Sequence, residues 1–278
     1  MEEVARISSY LLSISGEISR MVREGFWDVA MSERTAGRQD MATNLDHKIG
    51  QYVSAKLMEQ FDGLIRFDSE EAEDRKGDGP YVVRIDPLDG TKHAISGIAL
   101  ITTLISVSID EKTVFALMIH PFTDKIYSAT RGKGAYMNGH PIHVSDQSIY
   151  DNFVIHEQPT SSLFQKNPTL FARNEAHLHT LMTKAYRLRN VGNASISVGW
   201  VAEGAATAYV DLSGTTKLYD IEAAILIAKE AGAIVGDFEG NNIEHVTYAS
   251  DDDRKVVSEH LLIANPKAFA EIVEHFKG

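Results

Sequence analysis

The segment from 81 to 91, YVVRIDPLDGT, combines residues that could bind a cation and an anion together. Asp86 closes an apolar, β-branched run, and Asp89 follows three residues later, before Gly90 and Thr91. Two carboxylates at the end of a strand can hold a divalent cation, and neighbouring backbone amides can hold an anion. Asp, Pro and Gly are also ordinary turn residues. The apolar strand before them and the threonine after them favour a site over a solvated turn.

Three further acidic positions could join this segment, and each also has an ordinary structural explanation. Glu70 lies in the acidic run DSEEAED, a pattern that is more often a solvated surface. Asp220 opens a helical segment, where the helix macrodipole alone favours an aspartate. Asp46 stands beside Thr43 and Asn44, a grouping that is typical of a helix cap. The residue types alone leave both interpretations open.

Composition narrows the function classes. The chain has 278 residues, no cysteine and a formal net charge of −12. The lack of cysteine excludes disulfides, cysteine–zinc sites, iron–sulfur clusters and thiol nucleophiles. The negative balance argues against a nucleic acid or an anionic membrane as partner. Because the N-terminus lacks a signal-peptide pattern and no apolar run is long enough for a bilayer, we expect a soluble, cytoplasmic protein.

Hydrophobic periodicity predicts one compact unit, 1–278, with a meander-rich first half and alternating strands and helices afterwards. Helices are predicted over 4–21, 49–61, 168–185, 194–204, 219–231 and from Pro266 onward; strands are predicted over 64–67, 81–86, 101–109, 114–119, 124–129, 205–211 and 261–265. Residues 31–45 are predicted to be a polar connection. Asn138-Gly139 predicts a tight turn, Gly232 a helix end, and Pro87 is expected to turn the chain out of its strand.

The DPLDGT motif resembles the signature of the inositol monophosphatase superfamily, whose members include inositol monophosphatases, fructose-1,6-bisphosphatases and bisphosphate nucleotidases. Other segments are similar to elements of that family and occur in its order. They are DMATNLD (40–46), FDSEE (67–71), RGKGAYMNG (131–139), RNVGNAS (189–195) and LYDIEAA (218–224). The resemblance extends from about residue 40 to 233, and six weak patterns in the right order are jointly specific.

The resemblance implies an α/β (α+β) fold, a layered αβαβα sandwich with an antiparallel-rich sheet in the first half and βα units in the second. It also implies a homodimer. We expect residues 1–145 to form the metal and phosphate half and residues 146–278 the substrate-side half. The cofactor implied is Mg²⁺, two or three ions per site, and oxygen ligands without cysteine favour Mg²⁺ or Mn²⁺ over zinc.

The family's roles transfer to matching positions of this sequence. One Mg²⁺ is implied at Glu70, Asp86 and the carbonyl of Leu88, and a second at Asp86, Asp89 and Asp220. The implied catalytic residues are Asp46 and Thr91, which take a proton from the attacking water, together with Glu70. The implied phosphate contacts are the amides of Gly90 and Thr91, and Glu71 matches a neighbouring family acid. The implied substrate-binding residues are Asp211, Gly192, Asn193 and Ala194.

Electrostatics independently requires a cation at such a site. Two like charges about 5 Å apart repel by roughly 3 kcal/mol at an effective dielectric of about 20, so several carboxylates would reject a phosphate. Divalent metals reverse that sign and lower the pKa of bound water. The expected function is therefore a Mg²⁺-dependent phosphomonoesterase. It would hydrolyse a small sugar or polyol phosphate, inositol 1-phosphate and/or fructose 1,6-bisphosphate, by direct attack of metal-activated water.

Departures from the family pattern bear on the substrate. Lys92 after the motif is reminiscent of bisphosphate nucleotidases, but the acidic segment typical of those enzymes does not follow. Tyr219 stands where animal inositol monophosphatases have tryptophan, and this region resembles archaeal members. The alternatives are a 3′(2′),5′-bisphosphate nucleotidase and a non-catalytic, metal-dependent sensor of a phosphate ligand. A haloacid-dehalogenase-type phosphatase is disfavoured because its two aspartates are separated by one residue, whereas Pro87 and Leu88 separate these.

Overall fold

The computed structural model describes residues 2–29, 43–70, 76–214, 216–243 and 260–277. Glu71 and most of the polar connection predicted for 31–45 lie outside the described residues. The first helix, α1 (Glu2–Gly25), buries the predicted apolar stripe. It is followed by a short 3₁₀ turn, Phe26–Asp28, and by α2 (Asn44–Phe61), which begins after the predicted cap Thr43.

The first sheet has seven strands in chain order, and their succession confirms the predicted meander. They are β1 (Ile65–Ser69), β2 (Tyr81–Asp89), β3 (Thr102–Ile109), β4 (Lys112–His120), β5 (Lys125–Thr130), β6 (Ala135–Met137) and β7 (His140–Ile142). β1 and β2 are parallel, and every later pair is antiparallel. The predicted turn at Asn138-Gly139 joins β6 to β7, with left-handed φ angles of 51° and 79°.

The second sheet has five short strands, of which β10 and β12 are predicted from sequence. They are β8 (Phe153–Glu157), β9 (Arg187–Arg189), β10 (Ala208–Asp211), β11 (Ile234–Gly236) and β12 (Leu261–Ala264), in the spatial order β11-β12-β10-β8-β9. β8 and β10 are parallel, and their register places Glu157 opposite Asp211. Two carboxylates therefore end neighbouring strands.

The remaining helices complete five layers and confirm the αβαβα sandwich. They are α3 (Thr91–Ile95), α4 (Ser161–Lys166), α5 (Pro168–Lys184), α6 (Ala194–Ala202), α7 (Leu218–Glu230) and α8 (Pro266–Lys277). α1 and α2 cover one face of the first sheet, α6 and α7 lie between the sheets, and α5 and α8 cover the second sheet. In the described part of the chain, no helix has the length and apolar character needed to cross a membrane.

The expected end of the second strand at Pro87 is wrong. β2 continues through Pro87 to Asp89, and its pairing with β3 contains one extra residue: Asp86 lies opposite Leu104, but Asp89 lies opposite Thr102. Proline has no N–H to donate, so the ladder accommodates it as a β-bulge. Residues three apart in a regular strand point to opposite faces. The bulge breaks this alternation, and Asp89 lies near enough to Asp86 for their charges to interact.

Candidate metal and phosphate site

Three acidic side chains from distant parts of the sequence meet where β1 and β2 end and α7 begins. Glu70 follows β1, Asp86 lies in β2, and Asp220 lies in the first turn of α7. One carboxylate oxygen from each lies within 4.8 Å of the others. The Glu70 amide donates to the Ile85 carbonyl at 3.0 Å, which keeps Glu70 beside β2. A set of hard oxygen donors at this spacing fits Mg²⁺ or a similar cation.

Burial and the neighbouring negative charges make Asp86 and Asp220 hard to ionise without a cation. Burial raises the pKa of Asp86 well above its usual value, and Glu70, Asp89 and Asp220 raise it further. Burial likewise raises the pKa of Asp220, with Glu70 and Asp89 adding to it. The cluster therefore has the electrostatic character of a cation site.

Asp89 lies beside this cluster but is held by other partners. Its carboxylate accepts a hydrogen bond from the hydroxyl of Ser195 and a long one, at 3.4 Å, from Thr102. Burial raises the pKa of Asp89 to about 6. The hydrogen bond from Ser195 lowers this pKa, and the charge of Glu70 raises it. Asp89 is not part of the three-carboxylate group, although it repels Asp86 and Asp220 electrostatically.

The DGT turn brings the Leu88 carbonyl and the Thr91 hydroxyl together. Thr91 Oγ1 donates to the Leu88 oxygen at 2.9 Å, and the Leu88 amide donates to Asp86 Oδ1 at 3.0 Å. Gly90 has a left-handed φ of 93°, and an added Cβ would lie 2.7 Å from the Leu100 carbonyl oxygen. Only glycine fits this position without strain. Thr91 then begins the five-residue helix α3.

Asp46 forms a capping box at the start of α2, as its position beside Thr43 predicts. Its Oδ2 accepts hydrogen bonds from the amide of Thr43, at 2.8 Å, and from the Thr43 hydroxyl. Burial raises the pKa of Asp46 to about 6, opposed by these bonds and increased by Glu70. The structure brings Asp46 near Glu70, but no hydrogen bond joins it to Thr91, both being described residues.

The predicted substrate-side residues form one loop and one strand end. Asn193 caps α6 through the Ile196 amide at 2.8 Å, and its Nδ2 donates to the Asp89 carbonyl at 3.2 Å. Gly192 precedes it with a φ of 70°, and Ala194 is the first residue of α6. Asp211 ends β10, but its carboxylate accepts bonds from the Ser213 amide, at 2.8 Å, and from the Thr216 hydroxyl. Asp211 thus serves its own loop.

Three polar residues near the site were given no role from the sequence. Glu157 ends β8 opposite Asp211, and burial, Asp211 and Asp89 raise its pKa to about 7, while the Gly192 amide opposes this effect. Ser195 holds Asp89, and Lys217 Nζ lies 3.5 Å from Glu70 Oε1. Glu157 could have been found only by predicting β8. Ser195 is the last residue of the RNVGNAS motif and Lys217 directly precedes LYDIEAA, so both positions offered a usable signal.

The comparisons with known proteins agree with this geometry. The sequence matches the profile of the Inositol monophosphatase family over residues 1–277. A fructose-1,6-bisphosphatase of Pyrococcus furiosus is 30% identical over 70% of this chain and 71% of its own. A fructose-1,6-bisphosphatase/inositol-1-monophosphatase of Methanocaldococcus jannaschii is 27% identical over 83% of each chain.

Solved structures place the fold in the same group. The crystal structure of the extragenic suppressor protein suhB from Bartonella henselae superposes with a TM-score of 0.82, covering 98% of both chains at 22% identity. At that identity the likeness concerns the fold alone. The family match over nearly the whole sequence decides the assignment: this chain belongs to the inositol monophosphatase family, whose members are phosphatases that hydrolyse phosphate monoesters.

Proposed function

We propose that this protein is a Mg²⁺-dependent phosphomonoesterase that acts on a small sugar or polyol phosphate, inositol 1-phosphate and/or fructose 1,6-bisphosphate. The observation that carries the proposal is the convergence of Glu70, Asp86 and Asp220, whose carboxylate oxygens lie within 4.8 Å of one another. Such a group repels a phosphate unless a cation neutralises it. The oxygen-only donor set supports Mg²⁺ or Mn²⁺ as that cation.

In this proposal Glu70, Asp86 and the Leu88 carbonyl hold one ion, and Asp86, Asp89 and Asp220 hold a second. A bound divalent cation neutralises phosphate charge and lowers the pKa of a water ligand. The amides of Gly90 and Thr91 hold phosphate oxygens, because the left-handed turn at Gly90 brings the backbone close without a side chain. Residues 1–145 supply most of these contacts, and 146–278 supply Asp220 and the substrate side.

Asp46 and Thr91 are assigned to proton transfer from the attacking water. With a pKa of about 6, Asp46 is mostly ionised at neutral pH and can accept a proton. The Thr91 hydroxyl donates its proton to the Leu88 carbonyl, so its oxygen retains lone pairs for water. Burial is the main cause of this raised pKa and the nearby Glu70 adds to it, which keeps the base near the pH at which it works.

The substrate assignment rests on two supports. The relatives from Pyrococcus furiosus and Methanocaldococcus jannaschii carry the names fructose-1,6-bisphosphatase and fructose-1,6-bisphosphatase/inositol-1-monophosphatase. Asn193, in the Gly192–Ala194 loop, donates to the Asp89 carbonyl, so a substrate hydroxyl held at this loop would adjoin the phosphate. We further propose that the protein is a homodimer. Light scattering on protein eluting from a size-exclusion column tests this directly.

The test is phosphate release from inositol 1-phosphate, fructose 1,6-bisphosphate and adenosine 3′,5′-bisphosphate, each with Mg²⁺ and with excess EDTA. We expect turnover of one or both of the first two with Mg²⁺ and none with EDTA. Asp89→Asn is expected to lower the rate by several orders of magnitude, and Asp151→Asn, at an exposed turn, leaves it unchanged. Activity in excess EDTA contradicts the proposal. Preference for the nucleotide, or binding without turnover, supports the corresponding alternative.

A further inference from the structure

A buried group of charged residues lies next to the acidic cluster. Its members are Asp68, Arg84 and Glu222, whose side chains are 6% exposed or less. Each is two positions from a proposed metal ligand: Asp68 from Glu70, Arg84 from Asp86, and Glu222 from Asp220. On a strand this spacing places both side chains on one face, whereas on the helix α7 it does not, so Glu222 joins the group through its contacts.

The register of the first sheet places two of these residues, Asp68 and Arg84, in one row. Asp68 in β1 pairs with Arg84 in β2, and Arg84 pairs with Ser106 in β3. Residues two apart on a strand share a face. Arg84 therefore lies on the face of β2 that carries Asp86, and its partner Asp68 lies in the same row of β1, two residues before Glu70.

Arg84 and Glu222 connect this row to α7. Arg84 lies between two carboxylates, with Nε 3.8 Å from Asp68 and a terminal nitrogen 3.6 Å from Glu222. Glu222 also accepts hydrogen bonds from Ser106 at 2.8 Å, Ser108 at 2.9 Å and Thr113 at 2.7 Å. Contacts to β2, β3 and β4 thus hold the helix that presents Asp220.

Stability alone is a weak reason for such a group, because apolar residues of similar volume often replace buried ion pairs without loss. The metal site supplies a stronger reason. Without a cation, the like charges of Glu70, Asp86 and Asp220, whose carboxylate oxygens lie within 4.8 Å of one another, favour moving the start of α7 away from the ends of β1 and β2. A positive charge shared between β1 and α7 opposes that separation directly.

We propose that Asp68, Arg84 and Glu222 are positioning residues that hold the three ligand-bearing segments at metal-binding distance before the metal arrives. The inference rests on the metal site of the proposed function. Preorganised ligands bind more tightly because less ordering accompanies binding. The metal affinity, rather than the rate at saturating metal, is the property that these residues set.

The experiment measures Mg²⁺ binding by calorimetry, without substrate, in the wild type and in Glu222→Gln. The matched control is Glu203→Gln, because Glu203, directly after α6, forms an ion pair with Lys125 of β5 at 2.7 Å and accepts a hydrogen bond from the Tyr127 hydroxyl at 2.9 Å. We expect Glu222→Gln to bind Mg²⁺ at least tenfold more weakly, a change of about 1.4 kcal/mol. Glu203→Gln keeps the wild-type affinity.

A folded Glu222→Gln with wild-type Mg²⁺ affinity overturns the proposal, as does an equal loss in Glu203→Gln. If Glu222→Gln does not fold, Thr113→Val decides, since it removes one hydroxyl from Glu222 and keeps every charge. Two- to threefold weaker binding supports positioning, and unchanged binding overturns it. In the phosphatase assay, positioning predicts that excess Mg²⁺ restores the maximal rate of the Glu222 variant.

These readouts separate the inference from the proposed function. A wild-type protein that binds Mg²⁺ and hydrolyses none of the three esters defeats the phosphatase proposal, whereas the binding comparison still decides the positioning role. A wild-type protein that binds neither Mg²⁺ nor Mn²⁺ overturns both.

Discussion

Replacing Asp46 by asparagine is expected to stabilise the metal-free protein while impairing its activity. The pKa of Asp46 is about 6 in the folded protein, against an ordinary value of 3.8. The folded state thus binds the Asp46 proton more tightly than the unfolded state does. The stabilisation that this proton provides is complete below pH 4 and is lost as the pH rises through 6. A tenfold change in proton affinity is worth about 1.4 kcal/mol, which gives about 3 kcal/mol at pH 7.5.

One effect reduces this magnitude, and the hydrogen bond from the Thr43 amide leaves it unchanged. The ionised carboxylate in the first turn of α2 interacts favourably with the helix dipole, by about 0.3–1 kcal/mol. Asparagine keeps an oxygen that can accept the bond from the Thr43 amide. We therefore expect Asp46→Asn to raise the free energy of unfolding by about 2 kcal/mol at pH 7.5, and by less than about 1 kcal/mol at pH 4.5. For a protein of this size that is roughly 4 °C in Tm.

The assay is thermal unfolding in EDTA at a series of pH values, and the quantity to follow is the difference between variant and wild type. Taking this difference cancels the contributions of buried histidines to the free energy of unfolding. His120, with its pKa of about 4, is one of them, and its contribution changes with pH in the opposite sense. Asp62→Asn, at the exposed far end of α2, is the control for loss of an acidic side chain. A destabilised Asp46→Asn at pH 7.5, or a difference independent of pH, refutes the reasoning. In the phosphatase assay this variant is expected to lose about 10²–10⁴ in kcat/KM.

Three further substitutions test individual parts of the site. Asp86→Asn removes the carboxylate shared by both proposed ions, so Mg²⁺ should no longer raise Tm in calorimetry; a wild-type rise contradicts this. Gly90→Ala places a Cβ 2.7 Å from the Leu100 oxygen at a φ of 93°, and it is expected to cost about 1–3 kcal/mol in urea unfolding; a cost below about 0.5 kcal/mol contradicts the strain. Ser195→Ala removes the shorter of the two side-chain hydrogen bonds to the Asp89 carboxylate, and we expect kcat/KM to fall about tenfold with little change in Tm; unchanged kinetics contradict a positioning role for that hydroxyl.

The longer elements were predictable because their signals are local. The stripe Ile49, Val53, Leu57 and Phe61 defines α2, and Thr43 defines its start. Asn138-Gly139 fixes the β6–β7 turn because few residues adopt its left-handed angles. By contrast, β8, β9 and β11 have three to five residues each, too few for a period to emerge, and they are held by pairing with distant strands.

The site residues also fall into those that were predictable and those that were not. Glu70, Asp86 and Asp220 lie in recognisable motifs, and the structure brings them together. The sequence could not indicate that Asp89 faces Ser195, because that hydrogen bond joins residues 106 positions apart. Nor could it indicate that a bulge follows Asp86, or that Thr91 is bonded to Leu88 rather than to Asp46. The assigned roles of Asp46, Thr91 and the substrate-side residues stay predictions.

The most direct test of the central claim is a crystal structure of the wild type with Mn²⁺ and phosphate, using anomalous scattering to locate the metal. The account predicts a manganese peak between Glu70, Asp86 and Asp220, at about 2.1–2.2 Å from an oxygen of each, as expected for a small divalent cation. Phosphate would lie next to it, near the amides of Gly90 and Thr91. Saturating Mn²⁺ that leaves these three carboxylates without a metal would contradict the account.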